Sequence, residues 1–258
     1  MGQGKRNEVN HMAERCIEAG GITLDIIEEM PGMVMRYAKG ARDLVQTKEL
    51  LELEQQDIEY WSGEAEKEDR GEKVTGQQQR HLELYFGPTA VGKTSKVKMQ
   101  VMGRLKERLF EKDCSNKWWD GYQGQKHVQM DEFRGSSFGT PEDFNRITNK
   151  GTVKVERKSN TANLIADNLY FTTNRHPSHW WKEGNGYMGW KDARYRAIAR
   201  RFAVVYWWND AKDCTVLKNP GPEEDTDEWK EAYAKWKRFW EWKGRPLEAG
   251  DSYVPPLS

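Results

Sequence analysis

The sequence predicts an α/β protein of the P-loop nucleotide-binding kind: a mainly parallel central sheet flanked by helices, preceded by a small all-α segment. Three observations predict it. Gly87-Pro88-Thr89-Ala90-Val91-Gly92-Lys93-Thr94 matches the pattern G-x-x-x-x-G-K-[ST]. Leu82, Leu84 and Phe86 alternate ahead of it as a strand does, and Ser95 to Lys112 behind it carries Val97, Val101, Leu105 and Leu109 at helical spacing. Further along, Val128-Gln129-Met130-Asp131-Glu132-Phe133 and Asn168-Leu169-Tyr170-Phe171-Thr172-Thr173-Asn174 read as strands that end in polar groups.

The chemistry of the glycine-rich loop follows from its backbone. Its two glycines let successive N–H groups turn inward on a triphosphate, and the following helix adds its partial positive charge. Lys93 is expected at the β- and γ-phosphates of ATP, and the Thr94 hydroxyl on Mg²⁺. Asp131 would complete the metal shell, and Glu132 would orient or deprotonate the attacking water. Asn174 is expected beside the γ-phosphate, because a parallel P-loop sheet carries that strand alongside the P-loop strand.

Composition narrows the class. The chain has 258 residues, enough for one sizeable domain plus a small one. Cys16, Cys114 and Cys214 lie far apart without C-x-x-C spacing, which supports neither a disulfide framework nor a zinc site and predicts an intracellular protein. No apolar run is long enough to span a bilayer, so no membrane partner is expected. The net charge of zero hides an asymmetry: residues 49–72 hold ten acidic against two basic residues, whereas residues 92–112 hold seven basic against two acidic. Positive charge therefore gathers around the P-loop.

In chain order, residues 1–62 read as short helices: Met12 to Ala19, Leu24 to Met30 stopped by Pro31, Met33 to Val45, and Lys48 to Tyr60. Residues 63–79 are polar and without periodicity, an expected exposed linker with a domain boundary near residue 75. The P-loop domain is expected over residues 80–208. Within it, residues 152–158 alternate like a hairpin strand with basic residues outward, and Ser159-Asn160-Thr161 would make its turn. His176 and His179 lack a third ligand nearby and read as loop residues. Lys191 to Arg201 packs five basic residues into a predicted helix feeding a strand from Phe202. Residues 209–258 form an acidic loop, an amphipathic helix and a tail. Asp225 and Glu228 fit a capping box, and Trp229, Tyr233, Trp236 and Trp240 share one helix face that reads as packing surface.

Together GPTAVGKT, KWWDGYQGQ, VQMDEF, VKVERKSN, YFTTN and ARYRAIARRF resemble the superfamily-3 helicase domain, AAA+-like in fold, of replication-associated (Rep) proteins of circovirus-like single-stranded DNA viruses. The helical stretch before it resembles the oligomerisation region of those proteins. The resemblance implies an ATP-driven helicase for rolling-circle replication, single-stranded DNA as track, a hexameric ring as assembly, and the host nucleus as compartment. It implies that Lys158, with Lys154 as a secondary contact, binds DNA on a hairpin, and that Arg200 or Arg201, with Arg201 preferred, is an arginine finger acting on a neighbouring subunit. Ser159-Asn160 departs from the glycines usual at that hairpin tip.

A second departure is that no His-hydrophobic-His and no Tyr-x-x-Lys precede the P-loop. Nicking and joining are therefore not expected of this chain, and full-length Rep or a separate endonuclease becomes a possible partner. Two other functions stay open: an RNA track, or a truncated, non-enzymatic Rep that assembles with full-length copies.

Overall fold

The computed structural model describes residues 3–76, 78–151, 153–158, 161–183, 186–208 and 213–241. The chain forms two compact units, residues 1–76 and 77–258.

The first unit is helical: α1 (Gln3–Glu18), α2 (Leu24–Glu29) and α3 (Pro31–Asp69). Met12, Cys16, Ile26, Ala41 and Val45 form its buried cluster. An Arg15–Glu29 ion pair of 2.6 Å bridges α1 and α2. Pro31 both ends α2 and starts α3, since its fixed φ suits a first helical position and its missing N–H is not needed there.

Here the structure corrects the sequence reading twice. The expected helices Met33 to Val45 and Lys48 to Tyr60 are one helix: Thr47 does not cap a new one but returns its hydroxyl to the Asp43 carbonyl at 2.7 Å. The helix then continues through residues 63–69, which polarity marked as linker. Glu64–Lys67 at 2.6 Å and Arg70–Glu66 at 3.7 Å show that its charges pair along the helix. Past α3 the chain folds back. Glu64, buried and held well below the usual carboxylate range by Lys67, accepts from the N–H groups of Thr75 and Gly76, and the Tyr60 hydroxyl donates to the Gly76 carbonyl at 2.5 Å.

The second unit is built on a six-stranded sheet. Its members are β1 (His81–Phe86), β2 (Leu109–Lys112), β3 (His127–Met130), β6 (Asn168–Thr173), β9 (Phe202–Trp208) and β10 (Cys214–Lys218), in the order β10-β9-β1-β6-β3-β2. All neighbours are parallel except β9 and β10. Between β3 and β6 the chain forms a separate hairpin of β4 (Val153–Glu156) and β5 (Thr161–Leu164); β7 (Lys182–Glu183) and β8 (Gly186–Tyr187) make a second, minimal one. The strand carrying Asn174 thus lies between the P-loop strand and the Asp131 strand.

Helices complete the domain: α4 (Lys93–Lys98), which runs on as a π-helical segment over Met99–Leu105, then α5 (Pro141–Thr148), α6 (Ala193–Ala199) and α7 (Asp227–Glu241). The predicted helix to Lys112 is therefore too long. Lys106 takes a left-handed backbone at φ 59°, and the next residues pair with β3, Phe110 opposite Val128. Leu109 shares the helical spacing but belongs to a strand. The expected capping box at α7 is also corrected: Thr226 caps, its hydroxyl accepting from the Trp229 N–H at 3.2 Å, while Asp225 pairs with Lys230. Asp192 caps α6 through the Arg194 N–H.

One face of the sheet buries Leu82, Leu84, Phe86, Val128, Met130, Leu169 and Phe171. Phe133, Phe138, Phe144, Trp180 and Phe202 pack into the same core, which Trp236, Phe239 and Trp240 of α7 also enter. His176 ties α7 down, its Nε2 2.8 Å from the Phe239 carbonyl and its Nδ1 2.8 Å from the Ser178 hydroxyl.

The β4–β5 hairpin buries Val153, Val155, Ala162 and Leu164 and turns Lys154 and Glu156 outward. Its predicted turn residues Ser159 and Asn160 lie outside the described residues. At the base, the buried Arg80 donates to the carbonyls of Ile147 at 3.1 Å, Gly151 at 3.1 Å, Leu164 at 2.8 Å and Ala166. Arg80 stands immediately before β1. It knots the end of α5, both roots of the hairpin and the P-loop strand together.

Candidate nucleotide site

The loop after β1 needs its glycines for two reasons. A side chain at Gly87 would collide with Trp208, whose Cβ and carbonyl oxygen come within 2.7 and 2.8 Å of the position a Cβ would take. Gly92 adopts φ 86°, which glycine takes without strain. With that turn made, Lys93 and Thr94 start α4 at the C-terminal end of the parallel strands, where ligands of open α/β sheets bind.

A cleft of about 320 Å³ collects the predicted site residues Thr89, Ala90, Gly92, Lys93, Thr94, Asp131, Glu132 and Asn174, together with Ser95, Thr172 and Thr173. Lys93 Nζ fills the loop itself, donating to the Gly87 carbonyl at 2.9 Å and the Pro88 carbonyl at 2.6 Å. Burial pushes its ammonium down to about 8, against the pull of Glu132 and Asp131. It is a half-buried cation poised for anionic oxygens that would replace those carbonyls.

Thr94 Oγ1 donates to Asp131 Oδ1 at 2.7 Å. A hydroxyl and one carboxylate suit Mg²⁺, which keeps several waters and takes phosphate oxygens rather than an all-protein cage. Among the described residues no cluster of three or more His, Cys, Asp or Glu could hold a metal.

The carboxylate pair lies just beyond β3 rather than inside the strand, and Glu132 has φ 48°. The left-handed residue lets two consecutive acids, which a strand would point to opposite faces, border one cleft. Gln129, anomalous in the apolar run, is fully buried and donates to Asp131 Oδ1 at 3.3 Å. Glu132 is mostly exposed, with Arg134 at 3.4 Å. Asp131 and Glu132 also border a neighbouring cleft of about 640 Å³ with Lys112, Cys114 and Arg134; burial pushes the Cys114 thiol up to about 11.

The remaining predicted residues lie elsewhere. Lys154 and Lys158 are exposed on and just after β4, Lys158 being 73 % exposed and 3.7 Å from Asp120. Arg200 and Arg201 precede β9, whose Phe202 is level with Leu82, whereas the P-loop leaves β1 after Phe86. That is roughly 15 Å along the strand, so neither reaches the cleft of its own chain. Arg201 is half-buried, bonded to the Ala197 carbonyl and to Asn149 Oδ1, both at 3.0 Å, and burial, with Arg200 beside it, lowers it to about 10; Arg200 is exposed. The cleft residues that motif reading passed over are Ser95, directly after the P-loop, and Thr172 and Thr173. The signal for the two threonines was a pair of hydroxyls directly ahead of Asn174.

A family model described as RNA helicase matches residues 84–175, from inside β1 to just past Asn174, which follows β6. The chain is 25 % identical over 228 residues to the replication-associated protein of porcine circovirus 2, covering 86 % of this chain and 62 % of that protein. This chain is similar to the circovirus Rep proteins. The protein of porcine circovirus 1 is 23 % identical over 87 % of the chain and 61 % of its own length. The goose circovirus protein reaches 41 % identity over 66 residues, 26 % of the chain and 22 % of that protein. The chain thus spans somewhat under two thirds of the length of the porcine circovirus relatives. The span matched by that model runs through the mainly parallel P-loop sheet that the sequence predicted. Among the described residues no helix is long and apolar enough to cross a membrane.

Proposed function

We propose that this chain is the ATP-driven motor of a viral replication-associated protein, moving on single-stranded DNA as a ring of copies. The observation that carries it is the convergence of Lys93, Thr94, Asp131, Glu132 and Asn174 on one cleft at the C-terminal end of the sheet. Residues Gly87 to Thr94 cradle the triphosphate, and Lys93 neutralises its β- and γ-oxygens. Thr94 and Asp131 hold Mg²⁺, which when bound supplies further positive charge to the phosphates. Glu132 takes the proton of the attacking water, and Asn174 hydrogen-bonds the γ-phosphate or that water.

Lys158 and Lys154 supply exposed cations to the DNA backbone, a contact that needs no base readout. Arg200, the exposed member of its pair, reaches the γ-phosphate of a neighbouring copy, while Arg201 anchors it to α5 through Asn149. Assembly is supported by α3, where Leu44, Leu51 and Ile58, seven residues apart, are 41, 59 and 61 % exposed. Partners in the ring would be copies of this chain or of a longer Rep, working in the host nucleus.

The test is ATP hydrolysis by the purified chain with and without single-stranded DNA. The expected result is turnover stimulated by DNA and abolished by Lys93→Ala with the fold retained by circular dichroism. Turnover unaffected by Lys93→Ala would overturn the assignment, and DNA binding without any turnover would favour a non-enzymatic partner of Rep. A second reading, an RNA track, rests on the description of the family model. Competition between DNA and RNA oligomers of one sequence decides it.

A further inference from the structure

We infer that Thr172 is a positioning residue that sets the two carboxylates of the cleft, a role resting on the nucleotide-hydrolysing function proposed above. Beyond β3 the chain must turn sharply for Asp131 and Glu132 to border one cleft, and the turn leaves their polar groups without strand partners. Thr94 and Gln129 also bond to Asp131 Oδ1, but Thr172 alone bonds to all three residues of the turn, Asp131, Glu132 and Phe133. Its hydroxyl donates to Asp131 Oδ1 and accepts from the Glu132 N–H at 3.2 Å, and its carbonyl accepts from the Phe133 N–H at 2.9 Å. Three consecutive residues thus bond to one.

The hydroxyl is the informative part. The carbonyl bond would survive any side chain, but the side-chain bonds need a group that both donates to a carboxylate and accepts from an amide, which a hydroxyl does through one atom. Thr172 is 1 % exposed, so its hydroxyl is held in place between these partners rather than turned to solvent. The next residue repeats the device on the other side: the Thr173 hydroxyl donates to the Phe133 carbonyl at 2.8 Å, and its carbonyl accepts from the Gly87 N–H at 3.3 Å. The two threonines lock the acidic turn and the P-loop to one strand, and Asn174 follows at the cleft. Thr172 therefore acts on the reaction through Asp131 and Glu132 rather than by touching the nucleotide.

The test compares Thr172→Val, which keeps the shape and removes the hydroxyl, with Thr172→Ser, which keeps the hydroxyl. Two quantities are read: amide hydrogen exchange at Glu132 in the nucleotide-free protein, and the kcat and KM for ATP. For Thr172→Val we expect at least tenfold faster exchange at Glu132, with Phe133 still protected, and at least a tenfold lower kcat at nearly unchanged KM. Thr172→Ser should restore both. Unchanged exchange and kcat in Thr172→Val would overturn the inference, as would Thr172→Ser failing as badly as Thr172→Val. A wild-type chain that hydrolyses no ATP would count against the proposed function alone, because the exchange at Glu132 still reports on Thr172.

Discussion

Acidification should loosen this domain through one side chain, His176. It is fully buried, ringed by Phe86 and Phe239, with one ring nitrogen facing Ser178 and the other the Phe239 carbonyl. Burial pushes its pKa down to about 3, outweighing the Phe239 carbonyl, which favours the protonated ring. The folded state holds it neutral while the unfolded chain takes up a proton near pH 6.5, so the unfolded state binds more protons between those values and stability falls as pH falls. At about 1.36 kcal/mol per pH unit, moving from pH 7 to pH 5 removes roughly 2 kcal/mol. The assay is urea unfolding followed by tryptophan fluorescence at both pH values, in wild type and in His176→Gln. Other groups titrate as well, so the decisive quantity is the stability gap between the two proteins, which should shift by that amount. A gap that is the same at pH 7 and pH 5 would refute the reasoning.

Three further outcomes are expected. Glu132→Gln should bind ATP normally and hydrolyse it about 10² to 10⁴ times more slowly, since it removes the base and leaves Asp131 in place; equilibrium binding of a fluorescent ATP analogue together with phosphate release separates the two effects. Lys158→Ala should weaken single-stranded DNA binding and flatten its salt dependence by about 0.7 in log–log slope, one phosphate contact on a single strand, as read by anisotropy titrations at several salt concentrations. If Arg200 acts on a neighbour, Arg200→Ala should lower turnover by about 10³ or more, and mixing it with Lys93→Ala should restore part of the activity. Turnover independent of protein concentration, with no rescue on mixing, would remove the trans contact.

The P-loop, the order of motifs and the parallel sheet were legible because each rests on local spacing: glycines where the backbone must turn, alternation in β1, polar groups at strand ends. What local spacing could not reveal depends on long-range partners. Thr47 could have capped a helix, but inside α3 its hydroxyl bonds to the Asp43 carbonyl within the same helix. Leu109 fits a helical period as well as a strand, and pairing with β3 decides between them. Gln129 and Thr172 look out of place in buried strands until the acidic turn they bond is seen. Of the arginine pair the sequence preferred Arg201, yet Arg201 is bonded to Asn149, fifty-two positions away, while Arg200 is exposed.

The knot at Arg80 carries a mechanical consequence. Its guanidinium bonds to four carbonyls drawn from α5, from both roots of the hairpin and from the crossing into β6, while its own backbone leads directly into β1. Sliding the hairpin against the P-loop strand would break several of these bonds at once, in a place closed to compensating water. Hairpin base and nucleotide strand therefore behave as one stiff lever. Force applied at the root of the hairpin thus meets the same four buried bonds that fix the start of β1, and it reaches the strand that leads into the P-loop.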